Sequence, residues 1–215
     1  MKMIVFSGTD GAGKSTQISL LETSLREQGR RTAYFWARGG YTPLFSLSKR
    51  AMRRMQIGAL PNPGMSRERE RKFASSRVRR VWLLLAIGDL VLCYGVWLRL
   101  LRWSGCVVLC DRYIEDTLLD FRLRFPQERV GTWFLWRILA KVCARPDHRL
   151  LLLVPPEESA RRAILKHDPY PDSLATLAWR HAQYQEMART GKWHIIDCMK
   201  SIETVHWEIR GVVKI

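Results

Sequence analysis

KMIVFSGTDGAGKSTQ, residues 2–17, is the stretch from which the fold is read. Its first half is an unbroken apolar run, Met3 to Phe6, that stops at Gly8. Apolar residues without polar alternation fit a strand buried on both faces of a parallel sheet. Its second half, Gly8-Thr9-Asp10-Gly11-Ala12-Gly13-Lys14-Ser15, fits G-x-x-x-x-G-K-[ST]. Glycines there let the main chain curl so that successive N–H groups point at one anion, and a following helix adds the positive end of its dipole. Such a loop cradles phosphates: Lys14 reaches the β- and γ-phosphates, and the Ser15 hydroxyl serves Mg2+. The helix is present in QISLLETSLREQG, where Ile18, Leu21 and Leu25 recur at helical spacing and Gly29 marks the stop.

Outward from this unit, strands and helices alternate to the end of the chain. RTAYFWA (31–37), CVVLCD (106–111), RLLLLV (149–154) and WHIID (193–197) read as further strands. Residues 42–80 read as helical pieces broken at Pro61, Pro63 and Gly64. Helices are also expected over 81–103, 114–145 with a break near Pro126, 157–166, 173–189 and 201–210. The alternation predicts an α/β protein with the three-layer α/β/α architecture of the P-loop NTPases, its five strands forming a mostly parallel sheet. At 215 residues the chain reads as a single domain over 1–215, with a lid segment near 157–172 and a basic and apolar helical region over 42–103.

The composition excludes several classes. Apolar residues at 47% and charged residues at 26% suffice for an ordinary core, which rules out a disordered or collagenous chain. Five cysteines without a CxxC point to a reduced, cytoplasmic protein and away from a structural zinc site. The short amino-terminal apolar run lacks the length and cleavage site of a signal peptide.

Charge is concentrated. The formal net charge is +16, and residues 49–80 hold eleven Lys or Arg against Glu68 and Glu70. Such a block suits phosphates, nucleic acid or an anionic lipid surface, or is a solvated helix face. No RRM, KH or helix-turn-helix signature accompanies it, so nucleic acid is not indicated. Directly after it, VWLLLAIGDLVLCYGVWL (81–98) carries one charge, Asp89, between Arg79/Arg80 and Arg99/Arg102, with Trp82 and Trp97 near its ends. Length and flanks suit a membrane segment, whereas a carboxylate near the bilayer centre costs roughly 2.5–3.5 kcal/mol. A helix buried in the protein, or a homodimer interface through 81–103, accounts for the same residues, as does contact with an anionic membrane surface.

Two further constellations carry chemistry. Asp111-Arg112-Tyr113 ends a strand, and in open α/β sheets ligands lie beyond the carboxyl ends of strands. Asp111 suits a metal's water shell or an acceptor hydroxyl, and Arg112 suits a phosphate. Arg38, just past the second strand, belongs to the same rim. Arg161, Arg162 and Lys166 lead into His167-Asp168-Pro169, where cations beside a loop could close over a transferring phosphoryl group.

In these features the chain resembles the thymidylate kinase family of nucleoside-monophosphate kinases. FSGTDGAGKSTQ resembles that family's P-loop, VVLCDRY its strand-ending Asp-Arg-Tyr, and VPPEESARRAILK the stretch leading into its lid. YQEMA and WHIIDCMKSIETV resemble its last helices and strand, so the similarity runs in order over nearly the whole chain. The resemblance implies that ATP lies on Gly8, Asp10, Gly11, Ala12, Gly13, Lys14, Ser15 and Thr16, and that Ser15 and Asp111 serve Mg2+. It also implies that Asp10 touches the acceptor's sugar or the metal and that Arg38 and Arg112 hold the acceptor phosphate. Family members with no basic residue in the P-loop's variable stretch place the catalytic cation in the lid, so the resemblance implies that role for Arg162 or Lys166.

The departures concern the acceptor's base. Where the family carries REPGG, this chain has Ala37-Arg38-Gly39-Gly40-Tyr41, and the position of its base-reading Arg falls on Leu90. Glu115-Asp116-Thr117 stands where the family shows Ser, and Leu153 replaces a strand-end Asp. The chain also resembles divergent thymidylate-kinase-like proteins found with polysaccharide-biosynthesis enzymes, which share the apolar helix and a DRY-x-x-D run, here Asp111 to Asp116. The leading expectation is ATP- and Mg2+-dependent phosphoryl transfer to a nucleoside monophosphate such as dTMP, with Lys14, Asp111, Arg112 and the lid cations as catalytic groups. Alternatives are a sugar or glycan-linked acceptor hydroxyl, with Asp111 or Asp116 as base and Asp116 among the acceptor-binding residues, and a non-catalytic nucleotide-dependent protein on a membrane or polyanion.

Overall fold

The computed structural model describes residues 2–37, 71, 73–167 and 171–214. Its contacts divide the chain into two compact units, one of Met1–Trp36, Leu100–Leu119 and Arg145–Ile215, the other of Ala37–Arg99 and Asp120–Ala144.

The first unit holds the sheet. Strands β1 (Met3–Gly8), β2 (Thr32–Trp36), β3 (Val107–Asp111), β4 (His148–Leu153) and β5 (His194–Asp197) lie in the order β2-β3-β1-β4-β5. Every pairing is parallel, with Phe6 beside Asp111 and Gly8 beside Leu152. All residues of β1 and β3 are buried, as their unbroken apolar runs require. Ile4, Phe6, Leu109, Leu150, Leu152 and Ile196 pack on one face against Ile18, Leu21 and Leu25 of α1 (Lys14–Glu27) and Val205, Ile209 and Val213 of the carboxy-terminal helix. Met3, Val5, Val108, Cys110 and Leu151, alternating with them, are equally buried on the other face. This is the expected α/β/α P-loop architecture with a five-stranded parallel sheet.

The second unit is helical. It contains α2 (Ser76–Leu90), which runs into a π-helical stretch (Val91–Trp97); α3 (Leu98–Trp103) continues the chain, with Leu100–Trp103 counted in the first unit. A helix α4 (Ile114–Arg124) follows β3, and two 3-10 turns (Pro126–Glu128, Val130–Thr132) and α5 (Phe134–Val142) replace the rest of the helix expected over 114–145. Pro126 and the left-handed Arg129 interrupt it. Phe73, Trp82, Phe121, Phe125 and Trp136 form an edge-to-face aromatic core with ring centres 5.1–6.1 Å apart. Buried Glu128 is paired by Arg79 at 3.0 Å and Arg80 at 3.1 Å. Both basic residues therefore pair within the unit.

The whole helix Ser76–Trp103 is long and apolar enough to cross a membrane, yet half of its most apolar window is buried in the protein. Leu83, Ala86, Ile87, Leu90 and Tyr94 form that buried side, while Val81, Leu84, Leu92, Val96 and Trp97 are exposed. The π stretch is absent from the sequence reading. It leaves Gly95 so close to Val142 that an added Cβ would lie 3.2 Å from Val142 Cγ2. It also lets the Tyr94 hydroxyl donate to the carbonyl of Ala37 at 3.0 Å.

After β4 come α6 (Pro156–Leu165) and α7 (Leu174–Ala188), and after β5 comes α8 (Ile202–Val213). Pro156 at the first turn of α6, and Ser173 and Ser201 capping the N–H groups of Thr176 and Thr204, set where these helices begin. Most of the expected lid is thus helix; residues 168–170 of it, with Asp168, lie outside the described residues, as do 38–70 with Arg38 and most of the basic block.

Candidate active site

The site lies in the first unit, at the carboxyl ends of β1, β3 and β4. Strand β1 ends at Gly8 with φ 135°, a conformation that L side chains rarely adopt, and an added Cβ would sit 1.8 Å from the Leu152 carbonyl oxygen. That close approach lets the Thr9 N–H bond to Leu152 O at 3.2 Å, while the Val154 N–H bonds to Thr9 Oγ1 at 3.1 Å. The chain then curls, and Gly13, left-handed at φ 82°, starts α1. The first bond of that helix runs from Gln17 N to Gly13 O, so the amides of Lys14, Ser15 and Thr16 precede the ladder. No acidic side chain occupies this first turn, so the positive helix end is left to an external anion.

Lys14 is 8% exposed and donates to Gly8 O at 2.9 Å and Thr9 O at 2.7 Å, with Asp10 Oδ1 3.9 Å away. Burial, and then the neighbouring Arg112 cation, lower its pKa to about 8 against the opposing pull of Asp10, Asp111 and Asp116. Ser15 and Thr16 are exposed at the same mouth, and Gly11 is partly exposed. Ala12 is buried in the core.

Strand β3 delivers Asp111 to this end, 8% exposed, where it accepts from the Tyr34 hydroxyl at 3.1 Å. Burial and Asp111 push the Tyr34 hydroxyl up to about 12, which keeps it a proton donor. Arg112 follows in the left-handed region at φ 73°, its N–H bonded to Phe6 O at 2.9 Å. This turn brings its guanidinium onto Asp10 of the P-loop. Asp116, one turn into α4, is 1% exposed. It accepts from Ser7 Oγ, from the Tyr113 N–H at 2.9 Å and from the Tyr184 hydroxyl at 2.7 Å, and Arg112 Nη1 lies 3.9 Å from it. Both oxygens face protein donors, and Asp116 lies beneath the rim.

Helix α6 closes the other side. Buried Ser159 donates to the Asp10 carbonyl. Arg162 is spread over three partners: Glu158 Oε1 at 2.6 Å, Gly11 O at 3.0 Å and Cys198 O at 3.0 Å. Hydrogen bonds from Arg161 and Arg162 hold the Glu158 carboxyl at about 2. Lys166 is exposed just past the end of α6. The structure therefore gathers Gly8–Thr16, Asp111, Arg112 and Arg162 around one mouth. Ser7, Tyr34, Ser159 and Tyr184 were missed in sequence, since each acts through a partner 68 to 149 residues away.

A divalent cation fits the donors present. Among the described residues no group of three His, Cys, Asp or Glu could cage an ion. Mg2+ needs no such cage, because it keeps waters and takes one or two protein oxygens with its phosphates. The exposed Ser15 hydroxyl and the Asp111 carboxylate are oxygen donors of the kind such an ion takes.

Comparison with known proteins agrees with this geometry. The profile of a family described as thymidylate kinase matches residues 96–209. A thymidylate kinase of Thermomicrobium roseum is 29% identical over 219 residues, covering 94% of this chain and 89% of its own. A probable thymidylate kinase of Pyrococcus horikoshii is 28% identical, covering 98% and 95%. A thymidylate kinase of Desulfotalea psychrophila is 30% identical over 164 residues, covering 75% and 67%.

Proposed function

The chain belongs to the thymidylate kinase family and is a P-loop phosphotransferase, and from that premise we propose that it moves the γ-phosphoryl group of ATP to the phosphate of a nucleoside monophosphate, with dTMP the first acceptor to test. The observation that carries this reading is the guanidinium of Arg112 on Asp10, an arginine poised across the mouth from the P-loop amides. A kinase of this kind works by positioning and charge compensation. The amides of residues 11–16 take the donor phosphates, and Lys14 trades its bonds to Gly8 and Thr9 for the β- and γ-oxygens. Mg2+, held through Ser15 and Asp111, would neutralise charge on those oxygens. Arg112 takes the acceptor phosphate with Arg38, displacing exposed Asp10 toward the acceptor's sugar. Arg162, already committed to Gly11 and Cys198, braces the donor side, which leaves Lys166 as the cation that reaches the transferring group.

A second reading is favoured by one observation. Leu90, at the position matched to the base-reading Arg, is completely buried and apolar, so thymine is not read there. A sugar or glycan-linked hydroxyl would then be the acceptor, with Asp111 as its base. The test is purified protein with ATP, Mg2+ and a panel of nucleoside monophosphates, sugars and glycan precursors, with products resolved by mass. Formation of dTDP with ADP in equal amounts is expected. ADP released only with sugar acceptors would overturn the first reading in favour of the second.

A further inference from the structure

Arg112 is held from two sides, and the two sides differ. Asp10 is about half exposed and belongs to the P-loop, so an incoming phosphate can take its place. Asp116 is 1% exposed and immobilised by three donors from three different elements: Ser7 at the end of β1, the Tyr113 amide at the start of α4, and Tyr184 in α7. A buried carboxylate met by this many donors is fixed in place. From this asymmetry we infer that Asp116 is the positioning residue for Arg112, holding its guanidinium at the mouth when Asp10 is displaced, and that Tyr184 ties this anchor to the helix that follows the lid. The inference rests on the reading of Arg112 as the acceptor-phosphate cation.

The charges support the division of labour. When Asp10 is displaced, the Arg112 guanidinium, 13% exposed, still lies beside the buried cation of Lys14, and like charges so placed repel. Asp116 supplies a counter-charge on the side that no ligand can reach. Arg112 also sits in the left-handed region, which is strained for an L side chain and persists only where surroundings over-determine it. The Tyr113 amide bonded to Asp116 is the next residue's N–H, so the same carboxylate pins the strained turn and the side chain leaving it. Tyr184, at the buried end of the network, has its hydroxyl pKa raised well above 10 by burial first and then by Asp116, so it remains a donor to that carboxylate at all ordinary pH.

The test follows the Arg112 guanidinium itself. In arginine-selective NMR of the full-length protein, the signal lost in Arg112→Lys identifies Arg112. In a common Asp10→Ala background, which removes the competing partner, rotation about its Nε–Cζ bond is expected to stay hindered, to become free when Asp116→Asn is added, and to remain hindered when Tyr184→Phe, which retains the carboxylate, is added instead. Calorimetric titration with dTMP and, separately, with a non-hydrolysable ATP analogue should show about a tenfold weaker dTMP affinity in Asp116→Asn, with the ATP analogue within about twofold. In turnover the acceptor KM should rise while the ATP KM holds. A merely structural role would instead lower the active fraction and leave both KM values unchanged. A guanidinium that stays hindered when Asp116→Asn is added to Asp10→Ala, or a dTMP affinity of Asp116→Asn within about twofold of the parent, overturns the inference. Should Asp116→Asn fail to fold, Tyr184→Phe decides: a dTMP affinity about threefold weaker with unchanged ATP affinity supports the anchor, and an unchanged dTMP affinity overturns it. Undiminished dTMP affinity in Arg112→Lys overturns instead the assignment of Arg112 to the acceptor.

Discussion

Lys14 is a buried cation whose partners in the free protein are two carbonyls of its own loop. Its pKa of about 8 lies below the model-peptide value of 10.5, so burying its charge opposes folding at neutral pH. The sign follows directly: this group's share of stability is present above about 10.5 and is lost as pH falls through about 8. Phosphates restore the cation. Near pH 8, binding of a non-hydrolysable ATP analogue should therefore take up about half a proton, seen as a buffer-dependent heat in calorimetry. In Lys14→Met the uptake should vanish and turnover should fall about 10³-fold. Uptake that persists in the variant would place the titrating group elsewhere. Gly8 makes the complementary point about backbone. A Cβ there meets the Leu152 carbonyl at 1.8 Å, so Gly8→Ala should cost about 2–4 kcal/mol in denaturant unfolding and loosen the loop. The P-loop residues were legible in sequence because their chemistry is local. Ser7, Ser159 and Tyr184 were not, because a hydroxyl shows its role only once the fold delivers its partner.

Among the elements, α6 carries two cations in different circumstances. Arg162 is bound to Gly11 and Cys198 carbonyls, and Lys166 is exposed at the helix end. Arg162→Ala should raise the ATP KM about tenfold with a small change in kcat, because it loosens the P-loop it braces. Lys166→Ala should lower kcat about 10²-fold with the ATP KM nearly constant, because its cation is engaged only in the transition state. Steady-state kinetics on the two variants checks the split, and equal effects on both constants would contradict it. The strands were readable to within a residue or two, since an apolar run between a Gly or Pro and the next polar stretch admits few other structures. The π stretch at Val91–Trp97 was not. The wider turn leaves no mark in the apolar run VLCYGVW, and the approach of Gly95 to Val142 that accompanies it is a tertiary contact.

For the molecule as a whole, charge and topology bear on the same reaction. A parallel sheet ordered β2-β3-β1-β4-β5 puts the ends of β1, β3 and β4 side by side, which is why residues as distant as Asp10, Arg112 and Arg162 share one mouth. A net charge of +16 gives the whole chain a positive field suited to polyanionic substrates. The kcat/KM for ATP should fall about tenfold between about 20 and about 500 mM salt, with kcat nearly constant, and a flat salt profile would show that the field does not steer substrate. The charge and the mostly parallel sheet were plain in the sequence, whereas the order of the strands came from the structure. The acceptor was not, because Leu90 and the run Glu115-Asp116-Thr117 depart from the residues that would name it.

The central claim is that the P-loop and Arg112 face each other across one phosphoryl group. A crystal structure with a bisubstrate compound, adenosine and thymidine joined by five phosphates, tests it most directly. The account predicts the phosphate chain running from the amides of residues 11–16 to the Arg112 guanidinium, with Asp10 turned aside and Arg112 still against Asp116. A phosphate chain bound elsewhere, or an Asp10–Arg112 pair left intact beside it, would contradict the account.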